Sequence, residues 1–391
     1  MKTTVAAIDF GTSKIVALVA ETSGRQRCDI IGAGTVVYDG YLEGRWNAPD
    51  QLNDAISGAV HAAEEQSHTR IREVYVGVPG DFSQVRAVEV KVELQGADPR
   101  VTEKDISDLF DKAVQELGEV RGSIIHRSPA WFIVDDGKKT LEPVGMRGYE
   151  MRAMISFVIA DQFFLDDVEE RFRSMGITVS GCVSTPIGQV MLFVPDEERD
   201  RGAVLVDIGY LTTEVMIVQG DTITSLKTLP MGGGHIAADV AYGLEVPLTS
   251  AEQIKRAYVY GLSAGQSTFE TTDQTGAAKT FTREQVEKVL EPRAEEICEA
   301  IRDTVIDSGA KLGKWSPVYL TGGGLAINRG GREFLAAKLE RTVRELPRKA
   351  VKLSSPAYSS ALGLLDLLIE TTMTAHASSG VGGFFRSLFG G

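Results

Sequence analysis

Two short stretches each end an apolar run on an aspartate, a glycine and residues able to hold an anion. The first, IDFGTSK, carries Asp9, Gly11, Thr12, Ser13 and Lys14. The second, VDIGYLTTE, carries Asp207, Gly209, Thr212 and Thr213. Glycine lets backbone N–H groups approach phosphate oxygens with no Cβ in the way. The four hydroxyls add donors, and Lys14 adds positive charge. Aspartates repel phosphate directly, but Asp9 and Asp207 suit a hydrated Mg2+, which keeps its own waters. One such Asp-x-Gly alone is more often a plain β-turn, because both residue types favour turns. Its repetition favours phosphate.

The elements around these residues also repeat. TTVAAIDFGTSKIVALVAE (3–21) runs apolar into Asp9, turns at Gly11 and resumes a β pattern, and AVLVDIGYLTTEVMIVQGD (203–221) follows the same plan. This predicts an α/β fold of two duplicated halves with a cleft between them. Gly232, Gly233 and Gly234 precede a helical pattern in LPMGGGHIAADVA, and Gly322, Gly323 and Gly324 end an apolar strand in VYLTGGGLAIN. In AEQIKRAYVYG, Glu252 and Lys255 share one helix face, which alone reads as a solvated ion pair. Four glycine-rich turns together fit a nucleotide in an interdomain cleft.

A chain of 391 residues is too long for one ordinary core, so two or more domains are expected. Its net charge of −13 argues against a nucleic-acid partner and against a broad electrostatic grip on anionic lipid. Cys28, Cys182 and Cys298 are unpatterned and read as reduced thiols of a cytosolic protein. The start, MKTTVAAIDFG, does not read as a signal peptide, and ALGLLDLLIE (361–370) is too short to span a bilayer.

Between the two hairpins lies a candidate interaction module or accessory layer. AVEVKVEL (87–94) alternates as a strand, residues 101–118 form a helix capped by Thr102, and AWFIVDD and MRAMISFVIA are strands. The chain ends differently. HASSGVGG (376–383) reads as a flexible linker, followed by a tip in which Phe384, Phe385, Leu388 and Phe389 fall within about 140° of a helical wheel. Arg386 and Ser387 lie opposite. Such a tip suits a membrane interface, with folding back on the protein or disorder as the alternatives. Full burial of four large side chains contributes on the order of 6–12 kcal/mol, and interfacial insertion only part of that. One tip is therefore a weak anchor, and many on a polymer act together.

These motifs resemble the actin, sugar-kinase and heat-shock-chaperone ATPase superfamily, with IDFGTSK and VDIGYLTTE as phosphate loops and LTGGG as the adenosine loop. Within it the chain resembles the FtsA family of bacterial cell-division actin homologues over nearly its whole length. VYVGVPG (74–80), TEKDISDLFDKA (102–113), IIHRSPAWFIVDDG (124–137), EPVGMRGYEMRAMISFVIA (142–160) and SPAYSSALGLLD (355–366) carry that likeness. The resemblance implies an actin-like ATPase fold: a first core subdomain (1–77 and 161–200), an FtsA-type insert (78–160), and a second core subdomain (201–234 and 312–372). It further implies an outer subdomain (235–311), a linker (373–383) and a membrane-targeting tip (384–391).

The resemblance also implies ATP with Mg2+ as cofactor, with Glu252 and Lys255 embracing ribose and adenine. It implies self-assembly into a polymer, contact with other division proteins, and a place on the cytoplasmic face of the cell membrane at the division site. The C-terminal peptide of FtsZ is the expected partner of the outer subdomain, through Arg293 and Glu296 of EPRAEE (291–296).

Three departures from the family pattern bear on chemistry. Tyr210 and Leu211 replace two glycines of the second phosphate loop, and Glu214 replaces an aspartate there. Thr185 stands before Pro186 where some relatives place the glutamate that polarises water. A hydroxyl is a poor general base, so no catalytic residue is assigned and slow ATPase activity at most is expected. A small-molecule kinase would need an acceptor pocket with a carboxylate base, and none is evident. A chaperone would need a β-rich substrate domain. The PilM platform protein of type IV pilus assembly shares the insert but lacks an amphipathic tail.

Overall fold

A computed structural model describes residues 2–23, 28–261, 267–313, 315–347 and 353–377, so the tip expected at 384–391 lies outside the described residues. The chain opens with β1 (Lys2–Phe10), β2 (Lys14–Ser23), β3 (Cys28–Val37), the short pair β4 (Tyr41–Leu42) and β5 (Arg45–Trp46), α1 (Pro49–Ser67) and β6 (Glu73–Val78). The insert follows as β7 (Ser83–Glu93), α2 (Glu103–Leu117), β8 (Ser123–Val134) and β9 (Glu150–Ala160). The chain then returns through α3 (Gln162–Ser174), β10 (Thr178–Ser184), α4 (Thr185–Phe193) and α5 (Asp196–Arg201).

The second half begins with β11 (Ala203–Ile208), β12 (Thr213–Gln219) and β13 (Thr222–Leu229). An outer layer of α6 (Gly233–Leu244), α7 (Leu248–Ala257), the hairpin β14 (Thr268–Thr272) and β15 (Ala278–Thr282), and α8 (Arg283–Asp307) comes next. β16 (Val318–Thr321), α9 (Gly331–Leu339), β17 (Val343–Glu345) and α10 (Ser359–Ala377) complete it. The linker expected over 373–383 therefore begins on helical residues.

The duplication is visible in the sheets. The first has the order β3-β2-β1-β6-β10 and the second β13-β12-β11-β16-β17. In both, the opening three strands pair antiparallel and the last two join in parallel. Ile15 to Ala20 are all at most 1% exposed, which explains why β2 reads as an unbroken apolar run rather than an alternation. α1 lies against β2 and β3, while α10 lies against β1 and β2 and crosses α4. That crossing is close because it is glycine on glycine: a Cβ on Gly188 would stand 2.6 Å from the Gly363 carbonyl carbon. It lets α4 and α10 both aim polar side chains at the cleft.

The insert is a three-stranded antiparallel sheet, β7-β9-β8, with α2 over one face. Thr102 caps α2, as the sequence suggests, and the Asp105 side chain answers it to complete a capping box. Ile106, Leu109, Phe110, Ala113 and Leu117 of α2 join Met151, Ala153 and Ile155 of β9 in a separate small core. The insert sheet also rests on β13 of the second half. The Ser156 hydroxyl donates to the Ile223 carbonyl at 2.5 Å. Gly220, in the β12–β13 turn at φ +56°, presses on the Ala130 carbonyl where any Cβ would collide.

Candidate nucleotide site

The two glycine hairpins close with the same bond. Gly11 N–H donates to the Lys14 carbonyl at 2.9 Å, and Gly209 N–H donates to the Thr212 carbonyl at 2.9 Å. This equates Thr12 with Tyr210, Ser13 with Leu211 and Lys14 with Thr212, so the hydroxyls of Thr212 and Thr213 stand two residues out of step with those of Thr12 and Ser13. Thr213 is then the first residue of β12, fully buried, and its hydroxyl donates to the Met231 carbonyl at 2.8 Å. In this conformation its donor is spent on the fold, so as a phosphate ligand its hydroxyl would have to turn. Thr212 is also buried.

The hairpins meet across the cleft at Thr12. Its Oγ1 accepts from Tyr210 N–H at 3.3 Å and from Leu211 N–H at 3.1 Å. Two adjacent N–H groups of the second loop thus converge on one oxygen. The substitutions at Tyr210 and Leu211 leave the backbone donors in place; what they add is side-chain bulk. A Cβ on Gly234 would meet the Tyr210 ring at 2.8 Å, and the Lys255 Nζ lies 5.7 Å from that ring's centre.

Acidic groups crowd the floor of the cleft. Asp9 accepts from the Ser360 hydroxyl at 2.6 Å, and Asp207 accepts from the Gln189 amide at 2.5 Å. The same amide donates to the Ser359 hydroxyl at 3.1 Å. Glu214 accepts from Gly80 N–H at 2.8 Å, at the entry to the insert. Burial pushes Asp9 up to about 6, against the Ser360 hydrogen bond and the charge of Lys14. Burial and the nearby Asp207 push Glu214 up to about 8. Asp207 is raised by burial as well, despite its bond to Gln189. Lys14, lowered by burial, lies near both aspartates with its Nζ 4.0 Å over the Tyr358 ring. Among the described residues no group of three or more acidic, histidine or cysteine side chains is placed to hold a bare metal ion, so Asp9 and Asp207 suit only a cation that keeps its waters; paired N–H groups aimed at an oxygen suit a phosphate. The residues fit a nucleotide with its metal.

On the other wall, Lys255 is 1% exposed, far from the solvated residue that its spacing alone suggests. Its Nζ pairs with Glu252 at 2.7 Å and donates to the Gly233 carbonyl at 2.9 Å. Asn328 fixes the end of α7 by donating to the Lys255 and Tyr258 carbonyls at 2.7 and 2.9 Å. The glycines predicted to line the site act chiefly by close packing. Gly233 and Gly234 donate to the carbonyls of Gly209 and Tyr210, and Gly324 donates to that of Ile208. Gly322, at φ +90°, sits against Asp207, and a Cβ on Gly232 would meet the Tyr210 carbonyl at 2.7 Å. Among these six, Gly323 alone would place its Cβ in ordinary contact, 3.4 Å from Ala357.

Sequence reasoning misses Gln189, Ser359 and Ser360. Nothing in their local spacing marks them, because only the α4–α10 crossing brings them to the aspartates. It also looks to Thr185 for a water site, yet Thr185 is buried with its hydroxyl beneath Gly77, where a Cβ would stand 2.5 Å away. Farther out, Arg293 and Glu296 lie together on α8 as expected, paired at 2.5 Å, and Arg293 also grips Asp239 of α6 at 2.7 Å. Two cavities, of about 630 and 420 Å3, open outside the floor formed by Asp9, Lys14 and Asp207.

Residues 204–363 match the family described as "Cell division protein FtsA", and residues 82–159 match "SHS2 domain inserted in FTSA". The chain is 25% identical to the cell division protein FtsA of Pseudomonas aeruginosa over 370 residues, 92% of this chain and 88% of that protein. Among solved structures it is similar to the PilM-PilN type IV pilus biogenesis complex, with a TM-score of 0.61 at 18% identity over 92% of this chain and 97% of that one. It is also similar to MreB5 of Spiroplasma citri bound to ADP, with a TM-score of 0.53 at 12% identity over 96% and 99%. At such identities the structural likenesses speak for an actin-like fold alone.

Proposed function

Because this chain belongs to the FtsA family of actin-like cell-division proteins, we propose that it binds ATP with hydrated Mg2+ between its halves, self-assembles, and tethers FtsZ filaments to the membrane at the division site. The observation that carries the nucleotide reading is the convergence of Tyr210 and Leu211 N–H groups on Thr12 Oγ1. In this reading a phosphate oxygen takes the place of that hydroxyl, and Lys14 turns from Tyr358 toward the phosphates. Asp9 and Asp207 hold the waters of the metal, which supplies the cation that the carboxylate floor lacks. Glu252 and Lys255 hold the ribose and adenine side.

Among the described residues of the floor, Asp9, Asp207 and Glu214 each already accept a hydrogen bond inside the protein, and Gln189, which reaches the same place, carries an amide that cannot serve as a base. The nucleotide therefore organises the cleft and favours assembly rather than driving fast turnover. Phosphate release is expected to run slower than roughly 1 per second, and a faster rate would overturn this part. An ATP binding isotherm, with and without Mg2+, tests the site itself.

Anchoring falls to the tip. No helix among the described residues is long and apolar enough to cross a membrane. In a liposome co-pelleting assay the full chain is expected to pellet and a chain ending at Ser379 to stay in solution. Equal pelleting would remove the tip as the anchor. Failure of both to pellet would favour the PilM-like reading of the same fold.

FtsZ contact is assigned to the face of α8 that carries Arg293 and Glu296. Arg293→Glu breaks the pairing to Asp239 and reverses the local charge. It is expected to weaken binding of an FtsZ C-terminal peptide roughly tenfold, about 1.4 kcal/mol. Unchanged affinity would move the contact elsewhere.

A further inference from the structure

We propose that the apolar tip, residues 384–389, has a seat on its own chain: the cavity beside α10, where it is sheltered until a membrane takes it. This rests on the tether reading and adds a second, competing site for the same side chains.

The cavity, about 630 Å3, opens at the outer edge of the first sheet, where β10 is the last strand. Its walls are Leu165 of α3, Ile124 and Ile125 of β8, Val179 and Val183 of β10, and Leu368 of α10. That volume lies within the range that takes a drug-sized apolar group, so it accommodates part of the tip rather than all four large side chains. Asp166 and Glu169 of α3, both exposed, stand in the lining, and among the described residues no lysine or arginine lines the cavity. The apolar walls alternate with the polar Ser123, Gln162 and Ser180, so the hollow offers aliphatic contacts to part of a tip of Phe384, Phe385, Leu388 and Phe389, and its acidic wall matches the single charge of Arg386.

The chain's length allows the return. Thr371 of α10 is part of the lining, and α10 runs on to Ala377, a rise of about 9 Å. Residues 378–383 can reach back roughly 20 Å when extended, enough to retrace that rise and enter the cavity. A tip seated in this way hides the aromatic patch that would otherwise be a solubility liability. It also lowers the apparent lipid affinity of a lone chain by the fraction of chains whose tip is unseated.

Two measurements on the full chain test the seat. Cys182 is part of the lining. In Phe385→Cys, treated with diamide and no vesicles, an intrachain disulfide to Cys182 is expected. It should vanish in Cys182→Ser and diminish when phosphatidylglycerol–phosphatidylethanolamine vesicles are added first. No such disulfide, or one joining two chains, would overturn the intrachain seat. The second variant fills the cavity. A Cβ on Gly181 makes only ordinary contact, 3.5 Å from the Tyr75 ring, so Gly181→Phe projects a side chain into the hollow without a backbone clash. Below the concentration of assembly it is expected to co-pellet with those vesicles roughly five- to tenfold more than the parent, as for a parent tip about 10–20% unseated. Unchanged pelleting of a folded Gly181→Phe overturns the seat while the loss of pelleting on truncation at Ser379 still upholds the tether. A disulfide without any vesicle binding does the opposite, upholding the seat and overturning the tether.

Discussion

Glu252→Ala is expected to cost about 3 kcal/mol of folding stability, while Lys255→Met, at the other end of the same ion pair, costs less than about 1 kcal/mol. The asymmetry follows from burial. Lys255 is 1% exposed and Glu252 20%, and their 2.7 Å contact is the only ion pair described for the lysine. Without Glu252 the ammonium is left with the Gly233 carbonyl alone, a buried charge with no counter-charge in contact. Burial already lowers the Lys255 pKa, and the glutamate is what raises it back. Methionine, by contrast, fills a similar length without charge, and Glu252 keeps Arg256 at 2.9 Å. Urea denaturation of both variants separates the cases through their midpoints at constant slope. Equal losses would mean that the pair acts as packing, not as charge compensation. Under the proposed function both variants lose ATP affinity, so stability and binding part company in Lys255→Met.

The second large effect is one of pH. Glu214 rises from an ordinary 4.5 to about 8 in the folded chain. Between those values the folded protein keeps a proton that the unfolded chain releases, so stability falls as pH rises through the window and levels off above 8. At pH 7 the loss is on the order of 2–3 kcal/mol. Glu214→Gln keeps an oxygen for Gly80 N–H and cannot ionise. It should match the parent near pH 4.5 and exceed it increasingly toward pH 8. Unfolding midpoints at pH 5, 7 and 8 check this, and parallel curves for the two proteins would defeat it. Asp9, raised from 3.8 to about 6, adds a loss of the same sign over that narrower window, and so a smaller total. Mg2+ with ATP should flatten what remains, because an added cation favours the ionised carboxylates.

What the sequence reveals here is what repeats or alternates. The two Asp-x-Gly hairpins stand out because each sits between apolar strands, and the matching sheet orders follow from that duplication. The insert is legible because AVEVKVEL alternates and Thr102 reads as a helix cap. Positions set by long-range packing are not legible. Gln189 reaches Asp207, and Ser360 reaches Asp9, only because Gly188 and Gly363 let two helices touch. The burial of Lys255 depends on Gly233 across the chain. Thr212 and Thr213 resemble Thr12 and Ser13 in type, yet they stand two residues out of register with them, and only the hairpin-closing bonds reveal that offset.

The docking of the insert on β13 has a mechanical consequence. The insert grows from the first half, yet Ser156 is bonded to Ile223 and Ala130 abuts Gly220, both in the second. The halves are thus joined by a strap as well as by the floor of the cleft. A strapped clamp cannot gape like a free hinge: opening must either break the strap or swing the insert as a lever about it. Glu214, bonded to Gly80 where the lever is rooted, sits in the second loop of the cleft. A change of less than an ångström at the second loop would then reach the far end of the insert as a larger displacement, by gearing alone.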